Sequence, residues 1–98
     1  MGHRLIVRPL AEADISRAFR WYETEYRGLG LRFLEVLDEG FERISESPLH
    51  YAEIAGGIRR KILNKFPFGI FFVFENEEVR VLAVLRQAQS PDIWKGRR

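Results

Sequence analysis

The sequence predicts an α+β fold in the order β-α-α-β-β-β, with an N-terminal helical hairpin packed on one face of a mostly antiparallel, curved sheet. Three observations carry this. The first half of the chain repeats its apolar residues at helical spacing in two stretches, parted by "GLG" at residues 28–30. After residue 57 the period shifts toward two. Finally, "FGIFFVFE" at 68–75 is so rich in aromatic and β-branched residues that it fits a central strand covered on both sides. Helices lying on one face of such a sheet make a layered α+β domain.

The elements follow in order. "RLIVR" at 4–8 is a short apolar run ended by Pro9 and reads as a strand. Pro9 suits the first turn of a helix, where its missing N–H costs nothing. Ile15, Ala18, Phe19, Tyr22 and Tyr26 then fall at helical spacing, with Glu12 and Asp14 near the positive end of the helix dipole. In the second helix Phe33, Leu34, Leu37, Phe41 and Ile44 mark the apolar face, and Pro48 stops it. Two amphipathic helices joined by a tight glycine turn form an antiparallel pair. "PLHYAEIAGG" reads as a loop, and Gly56 and Gly57 permit a sharp entry into "IRRKILNK" at 58–65, a flank strand of mixed polarity. "ENEE" turns the chain from the central strand into "VRVLAVLRQ" at 79–87, and "SPDIWKGRR" is a short tail, read as one helical turn anchored by Trp94.

With 98 residues the chain is expected to be a single domain, 1–98, with one modest core. It has no cysteine, which excludes disulfides and cysteine metal sites and fits a reducing cytoplasm. No stretch reaches the ~18 uninterrupted apolar residues of a membrane span, and "MGHRLIVRPL" lacks the apolar run of a signal peptide. Charge is uneven. Residues 1–48 carry seven Lys/Arg against nine Asp/Glu, and residues 49–98 carry nine against five. Either the second half meets an anionic partner or these are ordinary solvated charges.

In "RPLAEADI…AFRWYE", "GLGLRFLEVLDEGFERISESP", "GGIRRKILNKFPFGIFFVF" and "VRVLAVLRQAQSPDIW" the chain resembles, over essentially its whole length, the RelE/ParE toxin superfamily of bacterial type II toxin–antitoxin modules. The resemblance implies one of two activities: cleavage of ribosome-bound mRNA, as in RelE-like members, or inhibition of DNA gyrase, as in ParE-like members. It also implies a cognate antitoxin whose C-terminal segment folds onto the toxin in a heteromeric complex, with the first helix and the outer face of the second as docking ground. No cofactor, metal or membrane is implied.

RNA cleavage through a ribose 2′-OH needs a proton acceptor, a proton donor and cations for the developing charge. Arg60 and Arg86 are the candidates for the charge-stabilising, catalytic role. Arg59, Lys61, Lys65 and Trp94 are candidates for holding the target or a nucleic acid, the cations through phosphate and the indole by stacking. By period two, Arg60 shares a side with Ile58 and Ile62, whereas Arg59, Lys61 and Lys65 share the other with Leu63. The bland alternatives are a solvated flank strand for the cations and a tail packed on the sheet for Trp94.

The acid–base groups of the nuclease branch are not evident. Arg86 stands where many relatives carry histidine, "FPFG" stands where some carry arginine, and no histidine or tyrosine follows. Glu53 is a remote candidate for a base, and His3 and His50 have no partner spacing. These departures favour a ParE-like toxin or one that acts by binding. An inactive toxin-fold module that only complexes an antitoxin, and a small nucleic-acid-binding domain, stay open as alternatives. Rings on both faces of the central strand, at Phe71, Phe72 and Phe74, predict an apolar patch on the side away from the helices and a chain that is poorly soluble without its partner.

Overall fold

The computed structural model describes residues 2–89 and 91–98. Strand β1 (Arg4–Val7) leads into helix α1 (Pro9–Glu25) and helix α2 (Leu29–Glu46); β2 (Glu53–Ala55), β3 (Ile58–Ile62), β4 (Phe68–Glu75) and β5 (Glu78–Arg86) follow, and the short helix α3 (Pro91–Lys95) closes the chain. The strands form one sheet in the order β1-β5-β4-β3-β2. β1 runs parallel to β5, and every other pair is antiparallel.

The predicted α+β layering is therefore present, with one strand more than the sequence predicted. β2 lies in the segment expected to be a loop. Three residues on an edge, with a register shift against β3, give too short an alternation to read. Its turn into β3 uses Gly56 at φ 50° and Gly57 at φ 83°, a left-handed path that side chains resist. The β4–β5 hairpin turns through Asn76 and Glu77, both at positive φ, the arrangement that matches strand twist in a two-residue turn.

Pro9 occupies the first turn of α1, as its lack of an N–H allows. α2 begins at Leu29 rather than after the whole "GLG". Only Gly28 breaks the helix, and Gly30 is buried inside it. There a Cβ would stand 2.8 Å from the Phe19 carbonyl oxygen and 2.8 Å from the Phe19 ring, so α1 and α2 approach closely at Gly30.

Two apolar layers sandwich the sheet. Between hairpin and sheet, Phe33, Leu37 and Ile44 of α2 meet Ile70 and Phe72 of β4 and Val79 and Val81 of β5. Tyr22, Phe33, Phe66 and Phe68 form an aromatic knot, with Tyr22–Phe66 centroids 5.0 Å apart and Phe33–Phe68 centroids 5.3 Å apart. On the opposite face, Ile58, Phe71, Val73, Leu82 and Leu85 pack under Trp94. β4 is thus buried on both sides. The patch expected to stay open is covered at its centre by α3, with the Trp94 ring stacked on Phe71 at 5.1 Å and 21°. Side chains of this size, fully buried, contribute about 1.5–3 kcal/mol each, so the second layer matters to the fold.

Candidate functional site

Strand register distributes the predicted cations. Phe68 pairs with Arg86, and Phe71 pairs with Arg60. Cross-strand partners share a face. Phe68 belongs to the helix-side core and Phe71 to the layer under Trp94. Arg60 and Arg86 consequently lie on opposite faces of the sheet, and the fold does not bring them to one ligand. Arg60 lays its Cγ and Cδ across Gly69, where a Cβ would stand 3.3 Å from each. Arg59 and Lys61 pair with Phe72 and Ile70, on the helix side. There the Arg59 guanidinium donates to the Tyr51 carbonyl at 2.7 Å, and the Lys61 ammonium sits 5.2 Å from the Tyr51 ring. Burial, reinforced by the charge of Arg43, holds the Lys61 ammonium below its ordinary range. Lys65 is exposed in the β3–β4 turn at φ 66°. Trp94 is buried on Phe71, so stacking on a nucleobase would require its ring to leave that neighbour.

The most developed of these positions is Arg86. Its guanidinium lies 4.9 Å from the half-exposed Trp21 ring of α1 and 5.3 Å from the Phe68 ring. Planar guanidinium between two rings is a cation–π arrangement worth about 0.5–2 kcal/mol. It borders a cleft of ≈ 310 Å³ between α1 and the end of β5, along with Asp14, Arg17, Val84 and Gln89. Burial raises the Tyr22 hydroxyl above its usual range, and the positive charge of Arg86 partly offsets this.

Asp14 is the one carboxylate on this cleft among the described residues, and it is committed elsewhere. Its Oδ2 accepts from the Val84 backbone N–H at 3.0 Å and from Arg97 Nη1 at 2.5 Å, while its Oδ1 accepts from Arg97 Nη2 at 3.2 Å. β1 reaches only to Val81 on this side of β5. Asp14 and Arg97, which also donates to the Leu82 carbonyl, therefore satisfy the strand groups that β1 leaves unpaired. The role of this pair was missed in the sequence. A signal existed: Asp14 stands on the stripe of Ala11, Ala18 and Tyr22 that α1 buries, where a charge needs a partner. Arg98 is likewise taken up, by Glu75 at 2.6 Å, so two of the tail cations are ion-paired within the chain.

Among the described residues, neither arginine candidate stands beside a free histidine or carboxylate. Glu53 accepts from the Gly57 N–H at 3.1 Å on the far edge. His3 lies 3.5 Å from Glu77, and His50 packs edge-on against Tyr51. Among the described residues no cluster of His, Asp or Glu could hold a metal ion, and no helix is long and apolar enough to cross a membrane.

A helical hairpin on one face of this five-stranded, mostly antiparallel sheet is the fold of the RelE/ParE toxin superfamily. The chain belongs to the family described as the ParE toxin of the type II toxin–antitoxin system parDE, whose profile matches residues 5–91. Among solved structures it resembles the chromosomal ParDE toxin–antitoxin system from P. aeruginosa, with a TM-score of 0.77 at 19% identity over 86% of this chain and 95% of that one. It also resembles the toxin–antitoxin complex RelBE2 from Mycobacterium tuberculosis, with a TM-score of 0.63 at 15% identity over 89% of this chain and 100% of that one. No curated protein sequence matches it.

Proposed function

We propose that this chain is the toxin of a type II pair that acts in the cytoplasm by gripping DNA gyrase, and that a cognate antitoxin holds it inactive. The observation that carries the choice of gyrase over mRNA cleavage is the separation of Arg60 and Arg86 by the sheet, with no uncommitted carboxylate or histidine beside either among the described residues. Charge stabilisation without a proton acceptor suits recognition better than phosphodiester cleavage. Membership of the ParE toxin family supports the same reading.

The antitoxin would dock along α1. Leu10 and Trp21, 57% and 49% exposed, are eleven residues apart and so share a helix face. That face leads to Arg86. An amphipathic segment with apolar side chains over Leu10 and Trp21 and a carboxylate on Arg86 fits it, the carboxylate finding a guanidinium with no ion-pair partner among the described residues.

Induction of the chain alone tests this. Growth arrest with DNA breaks and intact transcripts is the expected outcome; transcript cleavage at ribosome positions would move the chain to the nuclease branch. Co-expression of a cognate antitoxin, sought as a small open reading frame beside the gene, should rescue growth. Arg60→Ala and Arg86→Ala should each weaken arrest while leaving the chain folded. Full toxicity of both would remove these side chains from the target-binding role.

A further inference from the structure

Several cations of the chain have carboxylate partners: Arg4, Arg17, Arg80, Arg97 and Arg98 are all ion-paired. Arg27, Arg32 and Lys65, like a number of other cations, are not, among the described residues; what sets these three apart is that they gather. These three border one cleft of ≈ 550 Å³ between the α1–α2 turn and the β3–β4 turn, and no carboxylate lines it. Its floor is apolar, built around Phe66 and the buried Tyr22. At its rim Tyr26 is 74% exposed and has no ring partner among the described residues. Lys65 holds a positive φ that only a minority of non-glycine residues adopt.

Like charges gathered without a counter-charge repel one another and attract anions. A free aromatic ring beside them selects among anions, because it rewards a ligand with a flat π-face next to its negative charge. We propose that this cleft binds single-stranded nucleic acid, with backbone phosphates held by Arg27, Arg32 and Lys65 and a base stacked on Tyr26. A duplex hides its base faces and fits less well. An acidic peptide satisfies the cations but leaves the tyrosine ring without a specific role. The cleft lies at the turn end of the hairpin and shares no lining residue with the neighbouring Arg86 cleft, and the inference does not depend on gyrase as the target.

The test is fluorescence anisotropy of the purified chain with a labelled oligothymidylate of about ten nucleotides, within the site sizes of single-strand grooves. Three phosphate contacts predict a slope of log K against log salt of about −2. The combined Arg27→Gln, Arg32→Gln and Lys65→Gln variant should bind at least about tenfold more weakly and flatten that slope. Tyr26→Ala should lose about tenfold with the slope unchanged, and Tyr26→Phe should bind as the parent does. All four side chains are exposed, so melting temperatures should not move. No binding by the parent, or equal binding by the triple variant, overturns the proposal. So does displacement of the strand by polyglutamate as readily as by unlabelled oligothymidylate, a result that would give the cleft to an acidic peptide.

Discussion

Asp14 and Arg97, eighty-three residues apart, form a two-pronged ion pair at 2.5 and 3.2 Å that ties the end of the chain to the first helix. The Asp14 side chain is 1% exposed and that of Arg97 16%. The pair closes over the part of β5 that β1 leaves open, with Val84 N–H and Leu82 C=O as its other partners. Removing Asp14 thus orphans a buried backbone donor and a largely buried guanidinium together. Asp14→Ala is expected to cost about 3–5 kcal/mol, a large part of the stability of a domain this size. Arg97→Ala should cost about 2 kcal/mol, because Val84 N–H and, at 3.4 Å, Arg17 still face the carboxylate. Urea denaturation of both and of the double variant checks this. The double variant should be no less stable than Asp14→Ala alone, and additive losses would show that the two act separately.

Gly30→Ala sets helix propensity against packing. Alanine is better than glycine in a helix interior by about 1 kcal/mol, an upper bound for Gly30 at the second residue of α2. Here its Cβ would meet the Phe19 carbonyl oxygen at 2.8 Å, a backbone atom that cannot swing away. The clash should win, for a net loss of about 1–2 kcal/mol as α1 and α2 are pushed apart. A variant more stable than the parent in thermal melts would show that the helices separate at little cost.

Lys61 provides a pH test. Burial and Arg43 set its folded pKa below the ordinary 10.5. A base with a depressed folded pKa binds fewer protons folded than unfolded between the two values, so stability rises with pH across that window. At neutral pH the charged ammonium works against folding. Lys61→Met keeps the stem near Gly40 and removes the charge, so it should raise the melting temperature at pH 7 by about 2 °C. Its advantage over the parent should shrink as pH climbs toward 10.5. Tyr22, raised by burial, pulls stability down in the alkaline range in both proteins, so the difference between them isolates Lys61. An advantage that grows with pH would contradict the assignment.

How much of this was legible in the sequence differs from element to element. Both long helices, the buried β4 and the β4–β5 hairpin follow from periodicity, because each buries a stripe or two faces long enough to show a period. β2 did not show, since three edge residues carry no repeat. The alternation of β3 placed Arg60 opposite Arg59 and Lys61, which is the register the strand adopts. What one strand could not reveal is its relation to another. The opposed positions of Arg60 and Arg86 depend on pairing both strands through β4, and the partners of Arg97 and Arg98 depend on where the tail comes to rest. The unpaired cleft of Arg27, Arg32 and Lys65 was hidden for the same reason, because its parts come from two turns remote in sequence.

The two tryptophans separate stability from binding. Trp94 is 6% exposed and stacks on Phe71, whereas Trp21 is 49% exposed and touches Arg86 and the edge of Tyr22. Trp94→Ala uncovers the second apolar layer and should cost about 3 kcal/mol. Trp21→Ala removes a ring already half in water and should cost well under half of that, while freeing the Arg86 guanidinium from one of its two aromatic neighbours. If α1 is where the antitoxin seats, the order reverses in a binding measurement. Trp21→Ala should then weaken the complex by at least about tenfold, as loss of a central aromatic anchor does, and Trp94→Ala, measured where it is still folded, should weaken it far less. Calorimetry of each variant with the cognate antitoxin, beside its thermal melt, reads both quantities. Equal affinity of parent and Trp21→Ala would place the antitoxin away from the face that carries Leu10 and Trp21.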